Sequence, residues 1–147
     1  MTGVQTCALP IFLRRIGKEA FSQCKALREI EIPASVEEIG EGCFSLSSLS
    51  RVTFGSGSVL KRIGASAFSE CRQLREIEIP ASVEEIGEFS FSAGFSSSSL
   101  SRVTFGSGSV LKRIGKEAFF RCNELREIEI PASVEVVGNP GVVVRRV

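Results

Sequence analysis

The sequence predicts an α/β repeat solenoid, with one short parallel β-strand per ~23-residue unit and short helical or 3₁₀ segments on the opposite side. Three observations predict it. Residues 28–36 recur unchanged as 75–83 and 126–134, and residues 49–59 recur as 100–110. Between these copies, shorter related units alternate: 13–35, 36–59, 60–82, 83–110 and 111–133, then a partial unit at 134–138. Finally, apolar residues fall two apart at Ile30 and Ile32 and at their counterparts, the spacing of a strand with one buried face.

Each unit follows one pattern: apolar-x-x-Ile-Gly, a small residue and Phe, often Cys, then Leu-x-x-apolar-x-apolar. The first unit shows it as Leu13, Ile16, Gly17, Ala20, Phe21, Cys24, Leu27, Ile30 and Ile32. The strand falls at Ile30–Ile32. Ala20-Phe21, Ala67-Phe68 and Ala118-Phe119 are expected on the helical or 3₁₀ segment. Gly17, Gly40, Gly64, Gly87 and Gly115 occupy one position, which is read as a fixed backbone bend. A unit this short cannot bury its apolar side alone, so copies must stack in register. Phe21, Phe44, Phe68, Phe91 and Phe119 are then expected in one interior file. Phe54 and Phe105 replace Ile32 on the strand; Phe12, Phe89, Phe95 and Phe120 fit no core slot.

Composition excludes several functions. The chain has 147 residues, with 18 Lys+Arg against 17 Asp+Glu, so no charge excess points to nucleic acid or an anionic membrane. All the acids are Glu, and His, Trp and Tyr are absent, which removes His-based catalysis and every triad containing His or Asp. No apolar run approaches the ~18–20 residues that span a bilayer. Cys24, Cys71 and Cys122 share one position in alternate coils, roughly 9–10 Å apart, too far for a disulfide. They and Cys43 are expected as free, buried thiols, with no metal site and no activated nucleophile. Gly55-Ser-Gly-Ser58 and Gly106-Ser-Gly-Ser109 lack the ending of a phosphate loop and read as turns.

Charges alternate from coil to coil. The pair before each Ile-Gly runs Arg14-Arg15, Glu37-Glu38, Lys61-Arg62, Glu84-Glu85, Lys112-Arg113. The outward strand row runs Glu29, Arg51, Glu76, Arg102, Glu127, and a second row runs Glu31, Thr53, Glu78, Thr104, Glu129. Stacking sets opposite signs side by side, a register device before it is a ligand site. These two rows are nevertheless the candidate interaction face, on the expectation that solenoids bind through a concave sheet. Their six Glu and two Arg give it a formal −4. Phe95, in the insert at residues 93–99, is a candidate loop contact.

The pattern resembles the leucine-rich-repeat family, specifically its BspA-like branch, which uses Ile-Pro-x-Ser-Val-x-x-Ile-Gly and Ala-Phe-x-x-Cys-x-x-Leu. Residues 13–138 carry the resemblance; the even units depart from it, with Gly55 and Gly106 in place of Pro33 and no clear counterpart of Cys24. The resemblance implies a right-handed coil and a cell-surface or secreted protein that contacts a protein or cell-surface partner. A protein-interaction or adhesion module is therefore one expectation, and an architectural spacer, favoured by the near-identity of the copies, is the alternative. No enzyme, cofactor, nucleic acid or membrane insertion is expected. Residues 1–11 fit no unit and resemble a translated sequencing adapter, and residues 139–147 read as an irregular tail. On that reading the chain is a fragment of a longer repeat protein. Its last coil, residues 128–137, exposes apolar atoms and open strand edges, and end-to-end self-association through uncapped repeats follows.

Overall fold

A computed structural model describes residues 6–7, 9–10, 12–94 and 98–147. In chain order the strands are β1 (Thr6–Cys7), β2 (Arg15–Ile16), β3 (Glu29–Ile32), β4 (Glu38–Ile39), β5 (Arg51–Phe54), β6 (Arg62–Ile63) and β7 (Glu76–Ile79). They continue as β8 (Glu85–Ile86), β9 (Arg102–Phe105), β10 (Arg113–Ile114), β11 (Glu127–Ile130), β12 (Glu135–Val136) and β13 (Val143–Arg146). Two-residue and four-residue strands alternate from β2 onward, so each coil contributes one of each. The short strands form a continuous six-stranded parallel sheet, in order β12-β10-β8-β6-β4-β2. The long strands form the opposite face in separate parallel groups, β3-β5 with the two-residue β1 beside β3, then β7-β9 and β11-β13.

Alternation decides which residues enter the core. In β3, Ile30 and Ile32 are buried and Glu31 is exposed; β7 and β11 repeat this. Stacking turns each such position into a column. The five Phe of the repeat form a single file, Phe21, Phe44, Phe68, Phe91 and Phe119. Successive ring centroids lie 5.3–5.4 Å apart, with planes within 12° of parallel. Phe44, Phe68 and Phe119 are fully buried, whereas Phe21, in the first coil, is half-buried.

The segment expected to be helical or 3₁₀ is neither. No helix occurs among the described residues. Each coil runs instead through consecutive turns whose N–H groups alternate between two partners. In the first unit, Glu19, Phe21 and Gln23 donate to Glu41, Cys43 and Ser45 of the next coil at 2.8–2.9 Å. Ala20, Ser22 and Cys24 donate back to Gly17, Glu19 and Phe21 of their own coil. A helix would send every N–H back along its own segment. Here every second one bonds between coils, and left-handed residues set that direction. Glu19, Ser66, Phe89 and Glu117, at one position, have φ of 50–56°, and Gly42 at the same position has 61°.

The recurring glycine has a different cause from the expected bend. A Cβ on Gly64 would come within 2.8 Å of backbone atoms of Ile39, Gly40 and Glu41 in the preceding coil; Gly40, Gly87 and Gly115 meet equivalent backbone at 2.5–2.9 Å. Close stacking, and not a positive φ, demands glycine there. Gly17 has no coil packed against that position and its Cβ would meet nothing.

The ends also differ from expectation. The tail is not irregular: β13 pairs with β11 over four residues, from Glu127↔Val143 to Ile130↔Arg146. The last coil is accordingly covered, with Ile128, Ile130 and Val134 buried. Arg145 reaches Glu129 at 3.2 Å, and Arg146 donates to the carbonyls of Ala132 and Val134. At the other end, Thr6 and Cys7 pair with Glu29 and Ile30 in parallel.

Candidate interaction face

The ladder registers bring the two predicted rows onto one surface. Glu29 faces Arg51 and Glu31 faces Thr53 across β3 and β5; Glu76 faces Arg102 and Glu78 faces Thr104 across β7 and β9. Glu127 and Glu129 extend the rows on β11. Eight of the ten side chains are exposed, with Glu29 and Thr104 half-buried. An open depression of about 830 Å³ runs along this face, and Arg51, Glu76, Glu78 and Arg102 line it. Phe95 lies outside the described residues.

The two sheets use the same charge alternation differently. On the short-strand side six of the ten alternating charges pair, and Arg14, Glu37, Lys61 and Arg113 make no ion pair within 4 Å among the described residues. Arg62 sits 3.1 Å from Glu38 and 3.9 Å from Glu85, and Arg15 lies 3.8 Å from Glu38. Lys112 binds Glu84, and this hydrogen bond lowers the Glu84 pKa and raises that of Lys112. On the long-strand side, among the described residues, no ion pair within 4 Å joins Glu29 to Arg51 or Glu76 to Arg102. The ion pairs on that face are those Arg145 makes with Glu127 and Glu129. The short-strand charges thus act as a register ladder, while those of β3–β9 keep their hydrogen-bonding capacity for solvent or a partner.

One feature escaped sequence reasoning. The long-strand sheet is interrupted between β5 and β7 and again between β9 and β11, where the strands are neighbours without a ladder. Proline removes one bond at each seam, although β3, followed by Pro33, still pairs with β1. Gly55 donates to Ile32 and Gly106 to Ile79, each at 2.9 Å, whereas Pro80 and Pro131 hold the same position without an N–H. Equivalent clefts of about 500 and 530 Å³ open at the two seams, with half-buried Phe54 and Phe105 in their walls. The signal was present as the alternation of Pro33, Gly55, Pro80, Gly106 and Pro131. The turns read from the Gly-Ser-Gly-Ser segments border these clefts: Gly57 and Gly108 have φ of 75° and 76°. Ser58 and Ser109 accept hydrogen bonds from the N–H groups of Leu60 and Leu111.

The thiols lie inside the turn column. Cys71 and Cys122 donate to the carbonyls of Phe44 and Phe91, both at 3.1 Å. Burial pushes the Cys71 and Cys122 thiols up to about 11 and the Cys43 thiol to about 12. Cys24, expected buried, is half-buried because it belongs to the first unit. Among the described residues, no group of three acidic, Cys or His side chains could hold a metal ion. No described helix is long and apolar enough to cross a membrane.

The coil geometry and the motif carrying it have relatives. The BspA-type leucine-rich-repeat region, in six copies, matches residues 2–105 and 58–140. The chain belongs to the BspA-type leucine-rich-repeat family. Among solved structures, this BspA-type chain is similar to the pneumococcal vaccine antigen PcpA, with 31% identity and a TM-score of 0.76 over 89% of this chain and 33% of that one. A Treponema pallidum leucine-rich-repeat protein aligns with 27% identity and a TM-score of 0.76, over 94% and 71% of the two chains. A leucine-rich cell surface protein of Faecalibacterium prausnitzii aligns with 27% identity and a TM-score of 0.54, over 86% and 39%. The BspA-type repeats here span a third of the pneumococcal antigen's length. A search of curated protein sequences returned no match.

Proposed function

We propose that this run of repeats is a non-catalytic protein-interaction module of a surface-exposed protein. Its partner is held on the face built from Glu29, Glu31, Arg51, Thr53, Glu76, Glu78, Arg102, Thr104, Glu127 and Glu129. The observation that carries the reading is the contrast between the two sheets: the alternation forms ion pairs between neighbouring coils at six of ten positions on one side, and forms none across β3–β9 among the described residues on the other. Charges of both signs around an open depression suit a polar protein surface, giving specificity and fast encounter. The coverage of the pneumococcal antigen and the similarity to a leucine-rich cell surface protein of Faecalibacterium prausnitzii support a longer, surface-located parent and adhesion as the role. Phe95 is an additional contact in this proposal.

The test compares the wild-type chain with Glu76→Lys/Glu78→Lys and with Glu85→Lys on the opposite sheet, all immobilised and exposed to labelled cell-surface proteins. The interaction reading predicts that only the first variant loses its bound proteins while keeping its circular dichroism. An architectural spacer is the second reading, favoured by the unbroken repetition of the face from β3 to β11. Equal behaviour of all three proteins would establish that one.

A further inference from the structure

β13 lies on β11 in the register that β5 and β9 take on β3 and β7. Glu127↔Val143 to Ile130↔Arg146 repeats Glu29↔Arg51 to Ile32↔Phe54 and Glu76↔Arg102 to Ile79↔Phe105. The side chains of β13 do not repeat those of β5 and β9. Val144 is half-buried where Val52 and Val103 are buried. Exposed Arg146 stands where half-buried Phe54 and Phe105 pack against the core. Residues 137–142 join β12 to β13, whereas residues 115–126 join β10 to β11, so the tail reaches its place by a link half as long. Polar contacts hold it there. Arg145 lies 3.2 Å from Glu129 and 4.0 Å from Glu127. Arg146 donates to the carbonyls of Ala132 at 3.0 Å and Val134 at 2.7 Å. Val147 donates to the carbonyl of Ile130 and accepts from the N–H of Ala132.

We propose that the edge of β11 is a strand-addition site for an extended partner segment carrying an apolar residue followed by two arginines, and that residues 143–147 are its displaceable occupant in cis. This rests on the protein-interaction reading and names the partner's chemistry at the β11 end of the face. An open edge pairs with any extended chain through its main-chain groups, and side chains supply the choice. Here the choice is visible in the occupant. The carboxylates of Glu127 and Glu129 receive a cation at the position of Arg145. The carbonyls of Ala132 and Val134 receive one at the next position. A single guanidinium nitrogen meets both carbonyls, and the rigid fork of an arginine suits that geometry better than the point charge of a lysine. The position of Val144 packs against the core beside Ile128 and Ile130, so it takes an apolar side chain. The tail is a poor fit to the core column, with an exposed arginine where the other strands bring phenylalanine. It is retained because it is tethered, competing at a roughly millimolar effective concentration. A partner therefore gains the edge by binding better than the tail, at an apparent affinity reduced by the share of chains whose edge is covered.

The experiment titrates the ¹⁵N-labelled full chain and its Arg145→Ala/Arg146→Ala variant with a synthetic peptide of the sequence of residues 141–147. A second peptide carries Arg145→Glu/Arg146→Glu. The expected result is that the first peptide shifts the amides of Ile128, Ile130 and Ala132 and binds the variant about tenfold more tightly than the wild type. Arg145→Gln alone, the milder change, should give a smaller gain. Glu127→Gln/Glu129→Gln, added to the double variant, should lower the affinity about tenfold. The second peptide should leave those amides in place. Equal binding of the two peptides, equal affinity of wild type and variant, or no shift would make the tail a permanent cap and overturn the proposal. A wild-type dimer by light scattering whose β11 amides the peptide does not move would make a second copy the occupant, and would overturn it too. If the peptide fails while Glu76→Lys/Glu78→Lys still abolishes capture of a surface protein, the interaction reading stands and this inference falls. If the peptide binds at β11 and that charge reversal leaves the captured proteins unchanged, the inference stands without that reading.

Discussion

Phe44 stacks on Phe68 with ring centroids 5.3 Å apart and planes 12° from parallel. The contact joins coils 24 residues apart in sequence and repeats along the file, so the interior is a column with one ring per coil. Cooperativity between coils passes through this column and through the hydrogen bonds of the turn segment beside it.

Phe68→Ala should cost about 3–5 kcal/mol, because it opens a cavity between two rings that cannot close on each other. Phe21→Ala, at the half-buried end of the file, should cost clearly less. Urea unfolding midpoints of the two variants measure the difference, and equal losses would contradict a continuous interior file.

Gly64→Ala and Gly17→Ala change the same repeat position in different surroundings. The first forces a methyl against backbone of the preceding coil and should destabilise by about 1–3 kcal/mol. The second meets open space and should be within about 0.5 kcal/mol of wild type. If both behaved alike in thermal melts, coil approach would not be the reason for the glycine.

Ser90 occupies the small-residue slot filled by Cys43, Ala67 and Ala118 elsewhere. Its Oγ is buried without a hydrogen-bond partner among the described residues. Ser90→Ala should therefore raise stability, by up to about 1 kcal/mol. A loss of stability on calorimetry would mean that the hydroxyl is satisfied.

The buried thiols couple stability to alkaline pH. The folded protein holds the Cys71 and Cys122 protons up to about 11 and that of Cys43 to about 12, from an ordinary value of 9.0. Between 9 and those values the unfolded chain binds fewer protons than the folded one, so stability falls as pH rises. Their contribution is complete below about 9. Cys71→Ala should flatten part of this slope in pH-dependent urea titrations. Native thiol labelling should modify Cys24 well before Cys71 or Cys122.

Arg62 bridges two glutamates on a solvated sheet, so Arg62→Ala should cost no more than about 1 kcal/mol, and less at high salt. Arg62→Glu sets like charges beside Glu38 and Glu85 and should cost more, with the larger salt dependence. A salt-independent loss on denaturation would point to packing of the arginine stem instead.

Much of this molecule was legible in its amino acids. The strands around Ile30, Ile77 and Ile128, the file of five Phe, the sign alternation and the rows of the candidate face were all visible, because stacking converts a sequence period into a spatial column. The turn segment was misread as helical because Ala-Phe beside Leu suits a helix locally, and nothing local shows that every second N–H bonds to another coil. The tail gave no repeat signal at residues 139–147, yet it pairs with β11, since backbone pairing needs only an extended chain beside an open edge.

The sequence by itself determined the period, the identity of each column and the charge each column carries. Only the tertiary structure decided which charges pair, why the glycines are required and where the long-strand sheet opens. Those outcomes depend on how closely one coil's backbone approaches the next. Pro80 shows the difference: its missing N–H is written in the sequence, but the cleft beside Phe54 exists only once β7 is laid against β5.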